Sequence, residues 1–269
     1  MVPGWYLPSL RNNITHATIF HNRFPEFTKI HLRIMTMAPN TKSTGPNCWV
    51  VTPGHAGMEN QALALAEAVG LPLTVKRVRP RAPWTWLPPG WWPWPRAALG
   101  GDSDPIEAPW PDLLISCGRR AVPYALLVKR ESAGATTIVH IQNPQTRLSA
   151  FDLVAPPRHD HLAGANVVET EASLHRINAA RLDTAAEVFA PQLAHLPRPL
   201  VAVLIGGSNS CYQLTPKIVA DLAAQLRTLC VEQGVGLAVT PSRRTGSDNI
   251  ETLRQALADG IKKHQILPW

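Results

Sequence analysis

The sequence predicts an α/β protein of two Rossmann-like lobes, the second of them incomplete. Three observations carry this expectation. Apolar runs of five or six residues alternate with helix-length amphipathic segments, which is the rhythm of a parallel sheet covered on both faces. The rhythm starts afresh after the punctuation of Pro197 and Pro199. The chain then ends after only two strands and two helices of the second round, about half of such a lobe.

The elements follow in order. Residues 1–46 show neither helical nor alternating periodicity and are expected to be disordered or a mis-assigned start, outside the fold. Cys48 to Thr52 is the first strand. Glu59 to Val69, with apolar residues at 62, 65, 66 and 69, is an amphipathic helix stopped by Gly70. Leu73 to Val78, Asp112 to Ser116 and Thr136 to Ile141 are further strands, with a helix over about 121–133. Asp152 to Ala155 and Asn166 to Glu169 are short strands. Ala172 to Leu196, rich in helix formers, closes a first lobe of residues 47–196.

The second lobe, residues 197–269, opens on Leu200 to Ile205. Thr215 and Pro216 begin a helix, the hydroxyl as N-cap and proline at the first helical position, and Gly234 ends it. Val235 to Thr240 is the next strand. A helix capped by Ser247 or Asp248 runs to Asp259 with Ile250, Leu253 and Leu257 inward. Residues 261–269 continue no periodicity and read as a cut or out-of-frame end. The sheet begun here is expected to expose an unpaired edge and an apolar face.

Composition narrows the function. The chain has 269 residues, 45% of them hydrophobic and 17% charged, an ordinary globular mixture. Of the formal charge of +7, residues 1–47 hold +4, and the +3 of the remainder is too weak a bias for nucleic acid as partner. The four cysteines have no metal-site or disulfide spacing, which fits a reducing compartment. No apolar stretch has transmembrane length and no secretion signal opens the chain, so the expected location is cytoplasmic, with a place at the periphery of a membrane as the alternative.

Ligands of open α/β sheets bind beyond the carboxyl ends of strands. The loops at those positions are Pro53 to Gly57, Cys117 to Arg120, Gln142 to Gln145, Gly206 to Ser210 and Pro241 to Gly246. Small residues let backbone amides approach an anion, helix N-termini add a favourable dipole, and arginine adds a bidentate fork. Gly206, Gly207, Ser208 and Asn209 with Ser242, Arg243, Arg244 and Thr245 are therefore the candidate phosphate site. Gly54, Gly57, Asn60, Gln61, Gly118, Arg119, Arg120, Gln142 and Asn143 are the candidate acceptor cleft. His55, at the start of the first helix, is the candidate general base, without an acid assigned to orient it. The alternative is that the glycines make turns and the arginines are solvated.

Other chemistries fit poorly. His159, Asp160 and His161 are consecutive and read as a surface turn, so no metal is expected. Ser210 stands where a nucleophile elbow needs its last glycine, and Gly54 to Gly57 lacks G-x-G-x-x-G spacing, so neither a hydrolase nor NAD or FAD is expected. Residues 80–111 hold nine prolines and six tryptophans, with Arg79, Arg81 and Arg96 beside them. Two readings of this loop stand level: an exposed contact, of residues 84–94, to a membrane surface, a lipid-linked acceptor or a protein partner, or a plug folded onto the first lobe.

The segments TPGHAGMENQALALAEAVG, PDLLISCGRRAVPYALLVKR, VHIQNPQ, PRHDHLAGANVVETEASLHRI, LIGGSNS and TPSRRTGSDN span about residues 48–259 in order. Together they resemble the mitochondrial-fission family called elongated mitochondria. The resemblance implies a GT-B glycosyltransferase-like arrangement in which a nucleotide-sugar binds the second lobe and the acceptor the first. No cofactor is expected, since arginines can neutralise the diphosphate in a metal's place. By the resemblance Gly206, Gly207, Ser208, Ser242, Arg243, Arg244 and Thr245 face the nucleotide, and Gly54, His55, Gly57, Asn60 and Gln61 the cleft. Where the family's first loop usually has Asp-Gly, this chain has Pro53-Gly54, which removes a carboxylate. The family also continues for several strands and helices beyond the match. The expected function is a nucleotide-sugar-binding protein and glycosyltransferase; the alternatives are a non-catalytic adaptor at membranes and an inactive fragment.

Overall fold

The computed structural model describes residues 46–209, 211–258 and 266–267. The expectation for residues 1–46 thus falls almost wholly outside the described residues, as does Ser210. The chain divides into two compact units, Met1–Arg176 and Ile177–Trp269. The sequence reading set its boundary at residue 197. The helix between the two positions, which the sequence reading gave to the first lobe, has no buried residue and goes with the second unit.

In the first unit, β1 (Cys48–Thr52), β2 (Leu73–Arg77), β3 (Leu113–Cys117), β4 (Thr137–Ile141) and β5 (Leu153–Ala155) form one parallel sheet in the order β2-β1-β3-β4-β5. Side chains of successive strand residues point to opposite faces. Accordingly Cys48, Val50, Leu113 and Ile115 pack on one face with Leu65, Ala66 and Val69 of α1 (Ala56–Val69). Trp49, Val51, Leu114 and Ile138 pack on the other with Val122, Tyr124 and Val128 of α2 (Val122–Glu131). Both faces are covered, as an all-parallel sheet requires. The Asp152 carboxylate accepts from the Ile138 amide at 2.8 Å and from Lys129 Nζ at 2.9 Å, fastening β4 to α2.

One difference from the sequence reading lies after β5. Asn166 to Glu169 is no strand: only isolated parallel bridges, Val154 to Val167 and Pro157 to Thr170, survive there. The chain between β2 and β3 contains no α-helix but three short 3₁₀ turns, Trp84–Trp86, Pro89–Trp91 and Pro95–Ala98, as its prolines dictate. Its tryptophans divide between the two readings of the loop. Trp92 is 7% exposed and packs edge-on to Tyr124, with Trp84 and Trp110 half-buried beside it. Trp86, Trp91 and Trp94 point to solvent at 78%, 77% and 69% exposure.

The second unit opens on α3 (Ala179–Leu193) and continues with β6 (Leu200–Ile205), α4 (Pro216–Gln233), β7 (Gly236–Pro241), α5 (Ser247–Ala258) and β8 (Ile266–Leu267). Thr215 Oγ1 accepts from the Ile218 amide, and Gly234 closes α4 at a φ of 62°, a left-handed C-cap. The parallel sheet has the order β6-β7-β8. Ile266 and Leu267 pair with Leu237 and Ala238 as β8, a strand that the sequence reading does not place. Val201, Val203, Ile205, Leu237 and Val239 pack under α4 and α5. On the opposite face Ala202 is exposed and Leu204 is 81% exposed.

Candidate functional site

The first sheet reverses its strand order between β1 and β3, and such a switch point leaves a crevice at the carboxyl ends of those strands. Residues 53–55, after β1, and 118–121, after β3, border it. The Gly54 amide donates to Thr52 Oγ1 at 3.0 Å, and Gly118 lies against α1, where a Cβ would stand 2.5 Å from Met58 Sδ. Both glycines have positive φ, 79° and 87°, which side chains disfavour. His55 is exposed at the N-cap position of α1, and its ring caps no amide.

Sequence reasoning missed a carboxylate here. Glu59, on the first turn of α1, accepts two hydrogen bonds of 2.8 Å from Arg77 Nε and Nη2 at the end of β2. The guanidinium holds the Glu59 carboxyl below its ordinary value, and the Thr52 hydroxyl assists. Arg77 also lies 3.6 Å from the Cβ position of Gly54. Only the β1-α1-β2 crossover joins these positions, so no local sequence signal marks the pair.

The other cleft candidates lie along the same edge. Gln142 directly follows β4 and takes a φ of 79°, rare for a residue with a side chain and a mark of imposed backbone geometry. Asn143 Oδ1 accepts from the Gln145 amide at 2.8 Å and shapes the turn. Arg119 reaches toward the tryptophan segment and donates to the Thr85 and Leu87 carbonyls at 3.4 and 3.3 Å, while Arg120 is exposed. Asn60 and Gly57 are exposed on the first turns of α1, and Gln61 Nε2 donates to the Gly57 carbonyl at 3.3 Å.

In the second unit the two candidate loops touch. β6 and β7 are parallel neighbours, so the chain leaves both at one edge of the sheet. Thr245 is 2% exposed, and its hydroxyl lies 2.6 Å from the Gly206 carbonyl and 2.9 Å from the Ser242 amide, which donates to it. Gly207 lies so close that a Cβ would overlap the Arg244 carbonyl. Asn249 Nδ2, on α5, donates to the Leu214 and Thr245 carbonyls at 2.9 Å each. Ser208 Oγ accepts from the Leu214 amide at 3.0 Å, and Asn209 Oδ1 from the Cys211 and Tyr212 amides at 2.8 and 2.7 Å.

Thr245, Ser208 and Asn209 therefore build the loops. Arg243 and Arg244 stand exposed on them, and no carboxylate among the described residues pairs with either. The helices α4 and α5 begin beyond these loops, which brings their positive dipole ends toward this edge. Such an arrangement has the means to hold an anion: small backbone-lined loops, two helix starts and two unpaired guanidinium groups.

Among the described residues no group of three or more metal-ligating side chains is assembled, and no helix is long and apolar enough to cross a membrane. His159, Asp160 and His161 form an exposed 3₁₀ turn and its end.

The chain is similar to known proteins along most of its described length. A family model described as "Mitochondrial fission ELM1" matches residues 56–266. "Mitochondrial fission protein ELM1" of Arabidopsis thaliana is 32% identical over 143 residues, which cover 45% of this chain and 33% of that protein. The match thus spans about a third of that relative's length.

Proposed function

As this chain belongs to the mitochondrial fission ELM1 family, we propose that its second unit binds the diphosphate of a nucleotide-sugar in a glycosyltransferase-like, GT-B manner. The observation that carries the reading is the backbone contact of Gly207 with Arg244. It joins two small-residue loops into one amide-lined edge and sets Arg243 and Arg244 beside it. In a transfer reaction the bond between the sugar's anomeric carbon and the diphosphate breaks, and negative charge grows on the leaving diphosphate. Fixed amides and guanidinium groups stabilise that charge without reorganising. The first unit takes the acceptor along Gly54, Gly118 and Gln142, with His55 as the base that removes the acceptor proton.

The test is binding. Uridine or guanosine diphosphate raises the melting temperature of the chain in proportion to the logarithm of ligand concentration. Replacing both Arg243 and Arg244 by Ala removes the rise and leaves the ligand-free melting temperature unchanged, since both side chains are exposed. A full set of nucleoside diphosphates without effect on wild type rejects the reading.

One observation favours a second reading, a non-catalytic adaptor that retains the fold and acts through its surface. It is the exposure of Trp86, Trp91 and Trp94. Under that reading nucleotides leave the melting temperature unmoved.

A further inference from the structure

The segment between β2 and β3 is two-faced. Inward, Trp92 with Ala98 and Ile106 covers the sheet beside α2, so the segment is fixed to the core. Outward, Trp86, Trp91 and Trp94 fall within nine residues, each on or next to a 3₁₀ turn begun by or following proline. Folding therefore leaves about three indoles in water on a frame too stiff to withdraw them. An exposed indole is costly in water but suits a medium that is apolar on one side and wet on the other.

Charge identifies the medium. From residue 68 to residue 101 the chain has no Asp or Glu, but it has Lys76, Arg77, Arg79, Arg81 and Arg96. Acids elsewhere pair with Arg77, Arg79 and Arg96. The Arg81 guanidinium donates to the Ala97 carbonyl. Two neighbouring loops add more cations. Arg119 clasps the Thr85 and Leu87 carbonyls, with Arg120 next to it, and Gly90 sits against Thr146, next to Arg147. Among the described residues no carboxylate pairs with Arg81, Arg119, Arg120 or Arg147.

We propose that Trp86, Trp91 and Trp94 form a platform that seats the first unit on an anionic phospholipid bilayer, the indoles in the headgroup region and the unpaired arginines on the lipid phosphates. A protein partner offers the same indoles a pocket; the surrounding acid-free stretch favours the bilayer, whose surface charge is continuous and negative. The inference rests on neither reading of the function, because a lipid-seated transferase and a lipid-seated adaptor use the platform alike.

The experiment is flotation of the full chain with vesicles of phosphatidylcholine alone and of phosphatidylcholine with phosphatidylserine in equal parts. Wild type floats with the serine-containing vesicles, and raised salt weakens the association because surface charges are screened. The triple variant Trp86→Ser, Trp91→Ser, Trp94→Ser binds at least about tenfold more weakly at an unchanged melting temperature. Should that variant fail to fold, brominated lipids quench the wild-type indole fluorescence if the platform inserts, and leave it unchanged if it does not. Absence of flotation with either vesicle overturns the proposal. So does concentration-dependent self-association that the triple variant abolishes, which assigns the surface to a second copy of the chain.

Discussion

Gly207 and Arg244 meet backbone to backbone, and the space between them admits no side chain: a Cβ on Gly207 would overlap the Arg244 carbonyl and stand 2.5 Å from the Thr245 nitrogen. Gly206, its neighbour, has nothing within 4 Å of its Cβ position. Gly207→Ala is therefore expected to lower the unfolding free energy by about 1–3 kcal/mol, the usual cost of overpacking. Gly206→Ala stays within about 0.5 kcal/mol of wild type. Urea denaturation of the two variants checks the contrast, and equal losses would show that the two loops do not meet this way.

Thr245 joins the same loops through its hydroxyl. Thr245→Val preserves the shape but removes the contacts to the Gly206 carbonyl and the Ser242 amide. A loss of about 1–2 kcal/mol is expected, since the Gly206 carbonyl and the buried Ile205 carbonyl lose the hydroxyl as a donor. Nucleoside diphosphates should stabilise this variant less than wild type, as loosened loops no longer present their amides as one surface.

The cysteines differ in reactivity for a reason unrelated to spacing. Burial pushes the thiols of Cys48 and Cys117 up to about 12, and that of Cys230 upward, while Cys211 is exposed. Thiolate is the reactive form. Under native conditions near pH 8 a disulfide reagent should label Cys211 alone; all four react after denaturation. Rapid native labelling of a second thiol would contradict the packing of β1, β3 or α4.

His140 sits in the middle of β4, fully buried, with Nδ1 2.8 Å from Ser116 Oγ, and desolvation lowers its pKa from 6.5 to about 3. The folded state keeps the ring neutral while the unfolded chain protonates it near 6.5. Above that pH the group makes no difference to stability. As pH falls from about 6.5 toward 3, the unfolded state gains the proton first and stability declines by up to about 1.4 kcal/mol per unit from this residue. Proton resonances of the His140 ring should show no titration between pH 7 and 5 in the folded protein. A midpoint near 6.5 would mean that the ring reaches water.

Much of this architecture is legible in single segments. The hydroxyl of Thr215, the proline after it and Gly234 bracket α4 because capping is local chemistry, and the apolar runs of β1 and β6 coincide with their strands. What escapes local reading depends on distant partners. Two residues, Ile266 and Leu267, form a strand only because β7 offers them an open edge. Glu59 and Arg77 form a pair only through the crossover, and the inward turn of Trp92 beside the outward turn of Trp91 is decided by the position of Tyr124 on α2. The candidate loops were readable as small-residue turns after strands; that Thr245 serves their construction and not their surface was not.

The crossover from β2 to β3 has a consequence for how the first unit holds together. A helical crossover spreads its cohesion over a ladder of interchangeable peptide hydrogen bonds. Here nine prolines in residues 80–111 bring no N–H, and beside scattered turn hydrogen bonds the segment is held by side chains, Trp92 against Tyr124, Arg96 on Glu131 and Arg119 on the Thr85 and Leu87 carbonyls. Amide hydrogens in this stretch should trade with solvent water quickly even though it roofs a close-packed core. In this part of the molecule, exchange protection and packing density come apart: the arch is tied by side chains reaching across it and not by a continuous peptide ladder.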